Sequence, residues 1–96
     1  SRIEKEFQAS DQRFFHVPCP SCGQMQVLKW ANLRWQEGDP ASVLYHCEAC
    51  DHAIPNHAKS RMLAAGQWRA TATGDGKTRG YHLSSLYSPV GWFSWE

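Results

Sequence analysis

The sequence lacks the features of a membrane protein, a strongly basic nucleic-acid-binding protein or a hydrolase. No apolar run approaches the roughly twenty residues that a membrane span needs, so no membrane partner is expected. Ten Lys and Arg stand against nine Asp and Glu, which gives a formal net charge of only +1. The carboxylates are scattered, with Asp11, Asp39, Asp51 and Asp75 on separate predicted loops. No nuclease or hydrolase centre is therefore predicted.

Cysteine is scarce, and its four copies form two matched pairs. Cys19 and Cys22 lie in "CPSC", Cys47 and Cys50 lie in "CEAC", and 24 residues separate the pairs. A C-x2-C turn places two sulfurs around one cation, and two such turns complete the tetrahedron that structural zinc prefers. The spacing therefore predicts one structural Zn²⁺ held by all four cysteines, with no coordination position open for catalysis. A domain this small also gains stability from such a metal.

Three other uses of these cysteines compete with zinc. Rubredoxin-like electron carriers hold iron in the same kind of knuckle, although an electron carrier does not need the long segment that follows the second knuckle here. Two disulfides would suit an oxidising compartment, whereas paired knuckles in the cytoplasm are typical of metal ligands. His46 or His52, which flank the second knuckle, would replace a cysteine in a mixed site. A stand-alone nucleic-acid-binding zinc ribbon is a further alternative for the function.

The pattern of strand and turn formers predicts a small metal-stabilised β-rich domain with the fold of a zinc ribbon. Aromatic and branched residues favour strands over 13–17 and 24–30, the second with an extension over 32–35. A loop is predicted over 36–42, and a third strand over 43–47 leads into the second knuckle. The three strands are expected to pair as one antiparallel sheet that carries rubredoxin-like knuckles.

One short helix and a C-terminal hairpin are predicted after the second knuckle. Asn56 is the candidate N-cap of the helix and Gly66 its stop, with Ala58, Met62 and Ala65 on the buried face. Alternating residues on both sides of "GDG" predict the hairpin. The whole chain is thus divided into a lead-in, a zinc ribbon, a helix, a hairpin and an apolar tail: residues 1–12, 13–54, 55–66, 67–86 and 87–96.

The end of "ATGDGKT" matches only the last part of a phosphate-binding loop. Gly76, Lys77 and Thr78 fit the G-K-[ST] terminus, but Thr71 stands where the first glycine belongs, and a strand rather than a helix is predicted to follow. We interpret this segment as the turn of the hairpin.

Basic residues gather in the second half of the chain. From residue 59 to residue 79 five cations face a single acid, Asp75. The candidates for a phosphate-facing surface are Lys59, Arg61, Arg69, Lys77 and Arg79. Trp30, Trp35 and Trp68 have the chemistry of stacking platforms for bases, but tryptophans beside a small metal site favour a place in its core.

The apolar tail "LYSPVGWFSWE" is unusual at the end of a chain. Tyr87, Val90, Trp92, Phe93 and Trp95 follow one another closely, and a free-standing protein rarely leaves such residues uncovered. We expect the sequence to be a fragment of a longer chain whose remaining part covers this tail.

The order of segments along the chain resembles the large subunit of the lambda-type tailed-phage terminase, the ATP-driven motor that cuts and packages viral DNA. The resemblance rests on "SRIEKEF", "SDQRFFHVPCPSCGQMQVLKW", "YHCEACDHAI", "RMLAAGQW" and "GYHLSSLYSP", which span nearly all of the chain. In that family a cysteine-rich insertion lies between an N-terminal ATPase domain and a C-terminal endonuclease domain.

The resemblance implies a place and a set of partners. Residues 1–12 would leave the ATPase domain, the four cysteines would carry the metal, and residues 80–96 would lead into the nuclease. The implied partners are the rest of the large subunit and double-stranded DNA, the terminase small subunit or the portal, in the cytoplasm of the bacterial host. The family's phosphate-binding loop, acidic ATPase residue and nuclease carboxylates have no counterparts here, so no catalytic residue is assigned.

Overall fold

The computed structural model describes residues 1–88 and 91–92, which form two small sheets joined by short helices. In chain order the elements are α1 (Arg2–Ala9), β1 (Arg13–Pro18), β2 (Met25–Val27), a 3-10 turn (Trp30–Asn32), β3 (Leu33–Gln36), β4 (Asp39–His46), β5 (Ala53–Ile54), a 3-10 turn (Asn56–Ala58), α2 (Lys59–Ala64), β6 (Gln67–Ala70), β7 (Tyr81–His82) and a 3-10 turn (Ser85–Tyr87). No helix in these two ranges has the length and apolar character that crossing a membrane requires.

The predicted lead-in over residues 1–12 contains helix α1. Ser1 is its N-cap, and the Ser1 hydroxyl accepts a hydrogen bond from the Glu4 amide at 3.3 Å. Phe7 packs edge-on against Phe14 of β1, with ring centroids 5.8 Å apart. This contact and the turn at Ser10 attach the helix to the first sheet.

The first sheet is built around β1. β2 pairs with it antiparallel over the half that leads into the first knuckle, as the sequence predicted. β6 is antiparallel to the other half, and β7 is parallel to the first two residues. The paired ranges are 16–18 with 25–27, 13–16 with 67–70, and 13–14 with 81–82. β1 is therefore the central strand.

The predicted C-terminal hairpin over 67–86 is wrong, because within residues 1–88 β6 and β7 pair with β1 and not with each other. Both strands pair with the same two residues of β1, so they lie on its opposite edges. The loop 71–80 crosses the start of β1 and surrounds Asp11, whose carbonyl accepts from the Ala72 amide at 3.0 Å and whose carboxylate accepts from the Gly80 amide at 3.2 Å. Local alternation predicted two strands but carried no information about a partner sixty residues away.

The second sheet has the order β3-β4-β5, and all its pairs are antiparallel. The predicted three-stranded sheet is therefore wrong in its composition, since its third strand belongs here and its first two belong to the first sheet. Residues 33–36 are a separate strand rather than an extension of the second. The predicted loop over 36–42 shrinks to a turn at Glu37 and Gly38, because Gly38 adopts a φ of +80° that favours glycine and lets Gln36 pair directly with Asp39.

The short helix after the second knuckle is confirmed, but two of its details are wrong. Ala58 and Met62 are buried as predicted, whereas Ala65 is exposed. Asn56 does not cap the helix; its side-chain oxygen accepts a hydrogen bond from the Trp92 amide at 2.9 Å. Asn56 therefore holds the Trp92 backbone instead of starting the helix.

One core draws on both sheets, on α2 and on the end of the chain. Its members are Val17, Cys19, Leu28, Leu33, Val43, Tyr45, Cys47, Ile54, Ala58, Met62, Leu86, Tyr87 and Trp92. The expectation of an uncovered tail is thus wrong for Tyr87 and Trp92, which are buried within this domain. Val90, Phe93 and Trp95 lie outside the described residues.

Candidate metal centre

The two cysteine pairs occupy turns of the same geometry. Cys19 follows β1, and its carbonyl accepts from the Gly23 amide at 2.9 Å; Cys47 follows β4, and its carbonyl accepts from the Asp51 amide at 2.9 Å. The residue after each pair has a positive φ, +78° at Gly23 and +60° at Asp51. Glycine adopts this conformation without strain. Both turns thus fold their two sulfurs towards one point.

The four sulfurs lie close enough to share one ion. All four Sγ atoms lie within 4.8 Å of one another, and contacts between the knuckles join Cys19 to Cys50 at 3.8 Å and Cys22 to Cys47 at 3.7 Å. Zinc–sulfur bonds of about 2.3 Å in a tetrahedron place neighbouring sulfurs about 3.8 Å apart. Disulfide sulfurs are bonded at about 2.05 Å, and all four cysteines are free. The spacing fits a metal site and not two disulfides.

Backbone amides support the buried sulfur of each pair. Cys19 and Cys47 are each 2% exposed, whereas their partners lie at the surface. Two amides donate to each buried Sγ at 3.3 and 3.5 Å: those of Ser21 and Cys22 to Cys19, and those of Ala49 and Cys50 to Cys47. Such donors stabilise the negative charge of a thiolate, the form in which cysteine binds a metal.

The thiols of the second knuckle differ in acidity. Burial raises the pKa of Cys47, but hydrogen bonds from the Gln26 side chain and from two backbone amides outweigh it and lower this pKa to about 6. A backbone hydrogen bond from His52 lowers the pKa of Cys50, but burial and the neighbouring thiols raise it to about 11. Near neutral pH the Cys50 thiol therefore keeps its proton when no cation is bound, and metal binding here would release it.

Neither flanking histidine joins the cluster of possible ligand atoms in residues 1–88 and 91–92. His52 is exposed. His46 is largely buried, with its Nδ1 3.5 Å from a carboxylate oxygen of Asp51, and Arg34 reaches the same oxygen at 3.3 Å. Both contacts involve Asp51, which is the non-glycine residue with a positive φ in the second knuckle. The structure gives no support to a mixed site that includes His46 or His52.

Lys59 does not belong to a phosphate-facing surface, and its selection for one is wrong. It is 1% exposed, its Nζ donates to the carbonyl of Gly91 at 3.0 Å, and it lies 4.6 Å from the centre of the Trp92 ring. Burial lowers the pKa of Lys59 to about 8. This lysine is a core residue that contacts Gly91 and Trp92.

The other four basic candidates are exposed and fall into two groups. Lys77 and Arg79 line one polar cavity of about 290 Å³ together with Arg13, which is paired to Asp11 at 2.8 Å. Arg61 on α2 and Arg69 on β6 do not line this cavity. Arg13 was not among the predicted phosphate-facing residues, because in the sequence it is one residue of a predicted strand far from the basic second half.

The three tryptophans that were candidates for stacking platforms lie at the surface and not in the core of the metal site. Trp30, Trp35 and Trp68 are 47%, 52% and 38% exposed. The prediction that they form the core is therefore wrong. Trp92, which sequence reasoning assigned to the tail, takes that role.

The segment "GDGKT" forms a turn, as the sequence predicted, and β7 follows it. One carboxylate oxygen of Asp75 accepts hydrogen bonds from the Lys77 and Thr78 amides at 2.9 and 2.7 Å. These are amides that a phosphate-binding loop would direct at its ligand. Here the chain's own carboxylate occupies them.

The fold and the site define a small β-rich domain with antiparallel sheets, a short helix and four cysteines placed to hold one metal ion. The family model described as "Phage terminase large subunit gpA, ATPase domain" matches residues 1–68, which contain both knuckles and α2. The chain belongs to this terminase large subunit family, and the resemblance seen in the sequence is confirmed.

Two relatives agree with the family match. The terminase large subunit of Enterobacteria phage P21 is 36% identical over 66 residues, which cover 62% of this chain and 10% of the relative. The terminase large subunit of Escherichia phage lambda is 48% identical over 40 residues, which cover 35% of this chain and 6% of the relative. The chain thus spans a tenth or less of these curated relatives. No solved structure gives a significant match.

Proposed function

We propose that Cys19, Cys22, Cys47 and Cys50 bind one structural Zn²⁺ and that residues 13–54 are a zinc ribbon of a terminase large subunit acting in viral DNA packaging. The observation that carries the proposal is the spacing of the four sulfurs, which matches a tetrahedral zinc site. When bound, the ion supplies four bonds to sulfur and leaves no position for substrate or water. The role of the metal is therefore to build structure.

The location of the cysteines explains what the metal would stabilise. Cys19 follows the central strand of the first sheet, and Cys47 follows the central strand of the second. A domain of this size gains only limited stability from its core alone. A metal bound by both knuckles would fix one sheet relative to the other.

Elemental analysis of the purified 96-residue chain tests this proposal. One zinc per chain is the expected result, because the closed four-sulfur shell suits zinc and the chain continues well beyond the second knuckle. A red iron form with a reversible one-electron couple would support the rubredoxin-like alternative instead. A folded chain without any metal would contradict both.

The proposed place in the larger protein follows from the family and from the division of the chain. Residues 1–12 would come from the ATPase domain, and residues 80–96 would lead towards the nuclease. The parent protein would couple ATP hydrolysis to DNA translocation and cut DNA, in the cytoplasm of the bacterial host. The rest of the large subunit is the first expected partner; DNA, the small subunit and the portal are the others.

We further propose that the polar cavity beside Lys77 and Arg79 faces a DNA phosphate. Its supporting observation is the convergence of these two exposed cations with Arg13 around one cavity. Both nearby carboxylates are already engaged: Asp11 pairs with Arg13, and Asp75 accepts from its own loop. Arg61 and Arg69 remain candidates for weaker contacts outside the cavity.

Replacing both cations of the cavity, as in Lys77→Gln with Arg79→Gln, is expected to weaken the binding of the chain to a DNA duplex. Each lost phosphate contact lowers the slope of log affinity against log salt by about 1. Fluorescence anisotropy over a salt series would measure both effects. Lys29→Gln, which removes one exposed cation after β2, is the control and should leave the slope nearly unchanged. Binding that ignores salt, or an equal effect of Lys29→Gln, would refute the phosphate site.

A further inference from the structure

Gln26 is a buried polar side chain directly beside the four cysteines. It is 2% exposed and lies on β2 between the half-buried Met25 and Val27, and Leu28, just after the strand, is buried on the same side. A buried amide is stable only when its donors and acceptors have partners. The partners of Gln26 therefore indicate what it does.

Within the part of the chain that the structure describes, the Gln26 side chain makes three hydrogen bonds, and all of them support the two knuckles. Its Nε2 donates to the sulfur of Cys47 at 3.3 Å and to the carbonyl of Gln24 at 3.0 Å. Its Oε1 accepts from the amide of Glu48, inside the second knuckle, at 3.1 Å. The carbonyl of Gln24 also accepts from the Cys19 amide at 3.0 Å, which closes the first knuckle. One side chain thus contacts both turns.

This side chain makes the two knuckles unequal. The buried sulfur of the first knuckle, Cys19, accepts two backbone amides, whereas that of the second, Cys47, accepts two backbone amides and the Gln26 side chain. The additional donor comes from the strand that follows the first knuckle, 21 residues away in sequence. No local feature of the second knuckle provides it.

We propose that Gln26 is a positioning residue of the four-cysteine site, which orients the Cys47 sulfur and the Glu48 backbone towards the metal and links the two knuckles before the ion completes the site. The inference rests on the proposed metal binding. An amide suits this task because it donates to the sulfur and accepts from the backbone at the same time. A carboxylate of equal size would lack the donor and would place a second negative charge beside the sulfur.

Gln26→Met and Gln26→Glu test the role, with Gln24→Met and Gln24→Glu as matched controls at an exposed position two residues earlier. Loss of a residue that orients a metal ligand weakens metal affinity roughly 10- to 100-fold. We expect this loss for Gln26→Met, a greater loss for Gln26→Glu, and a change within about twofold for both controls. Zinc affinity is measured by competition with a chelator of known affinity.

The cobalt form separates positioning from packing. Without the N–H donor, the Cys47 sulfur carries more electron density, so the sulfur-to-cobalt charge-transfer band of Gln26→Met should move to lower energy. A residue that only fills space would leave the band in place. If Gln26→Met binds zinc within twofold of the parent chain and its band does not move, the inference is overturned.

A measurement on the unsubstituted chain keeps the test decisive should the variants not fold. In the ¹¹³Cd form, a hydrogen bond to a bound sulfur transmits a coupling between the cadmium nucleus and the donated proton. We expect a correlation from cadmium to a side-chain amide proton of Gln26. Correlations to the Ser21 and Ala49 amides without one to Gln26 would refute its role. Failure of the chain to bind zinc, cobalt or cadmium would instead refute the metal site itself.

Discussion

Removal of the metal, or the substitution Cys19→Ser, is expected to unfold most of the chain and not only the first knuckle. Structural zinc contributes about 10–16 kcal/mol of apparent binding free energy in small domains, whereas whole domains are stable by only about 5–15 kcal/mol. Cys19 is buried and follows the central strand of the first sheet. Loss of its bond to the metal would therefore disturb the core and not only the surface. Amide spectra before and after chelation measure the outcome.

The control for Cys19→Ser lies in the same turn. Ser21→Ala removes an exposed hydroxyl but leaves the Ser21 amide that donates to the Cys19 sulfur. We expect it to change stability by less than about 0.5 kcal/mol, as is usual for surface substitutions. Native amide dispersion in Cys19→Ser, or in the chelated chain, would show that the two sheets hold together without the ion.

Trp92→Ala is expected to destabilise the zinc-loaded chain by about 3–5 kcal/mol, the range for removal of a large buried aromatic side chain. Trp92 is 0% exposed, its ring centroid lies 5.1 Å from that of Tyr45, and its Nε1 donates to the Ile54 carbonyl at 3.0 Å. The substitution also takes away the ring beneath the buried Lys59 ammonium. Three separate contributions are therefore lost together.

Denaturant unfolding at saturating zinc measures this effect without a contribution from metal loss. Trp35→Ala is the matched control, because Trp35 is 52% exposed and the same atoms are deleted. We expect Trp35→Ala to lower the free energy of unfolding by less than about 1 kcal/mol, because much of this side chain is already exposed in the folded chain. Equal losses for the two variants would mean that Trp92 is not a core residue of this domain.

The parts of the site that sequence could predict are those determined by local geometry. A C-x2-C turn places two sulfurs whatever the rest of the chain does, so the convergence of Cys19, Cys22, Cys47 and Cys50 depended only on the two turns meeting. The strands at 13–17 and 43–47 were also visible from their branched and aromatic residues. Which strands pair is a long-range property, and the predicted sheet and hairpin were wrong for that reason.

The buried polar residues were missed for a related reason. Lys59 and Gln26 are polar, and polar residues usually lie at the surface. Their burial is stabilised by partners 32 and 21 residues away, the Gly91 carbonyl and the Cys47 sulfur. Periodicity along a helix or strand contains no record of such partners. The sequence carried one weak signal of the burial of Gln26: it lies two residues before Leu28, and residues two apart in an extended segment face the same side.

The central position of β1 has a mechanical consequence. The loop around Asp11 holds its start, the first knuckle holds its end, and strands lie along both of its edges. A tension applied from the side of α1 would act along β1, so the ladder hydrogen bonds on its two edges would share the load and not open one after another. With an ion bound at Cys19, the strand would also be anchored at its far end. Such a strand would transmit a pull with little extension.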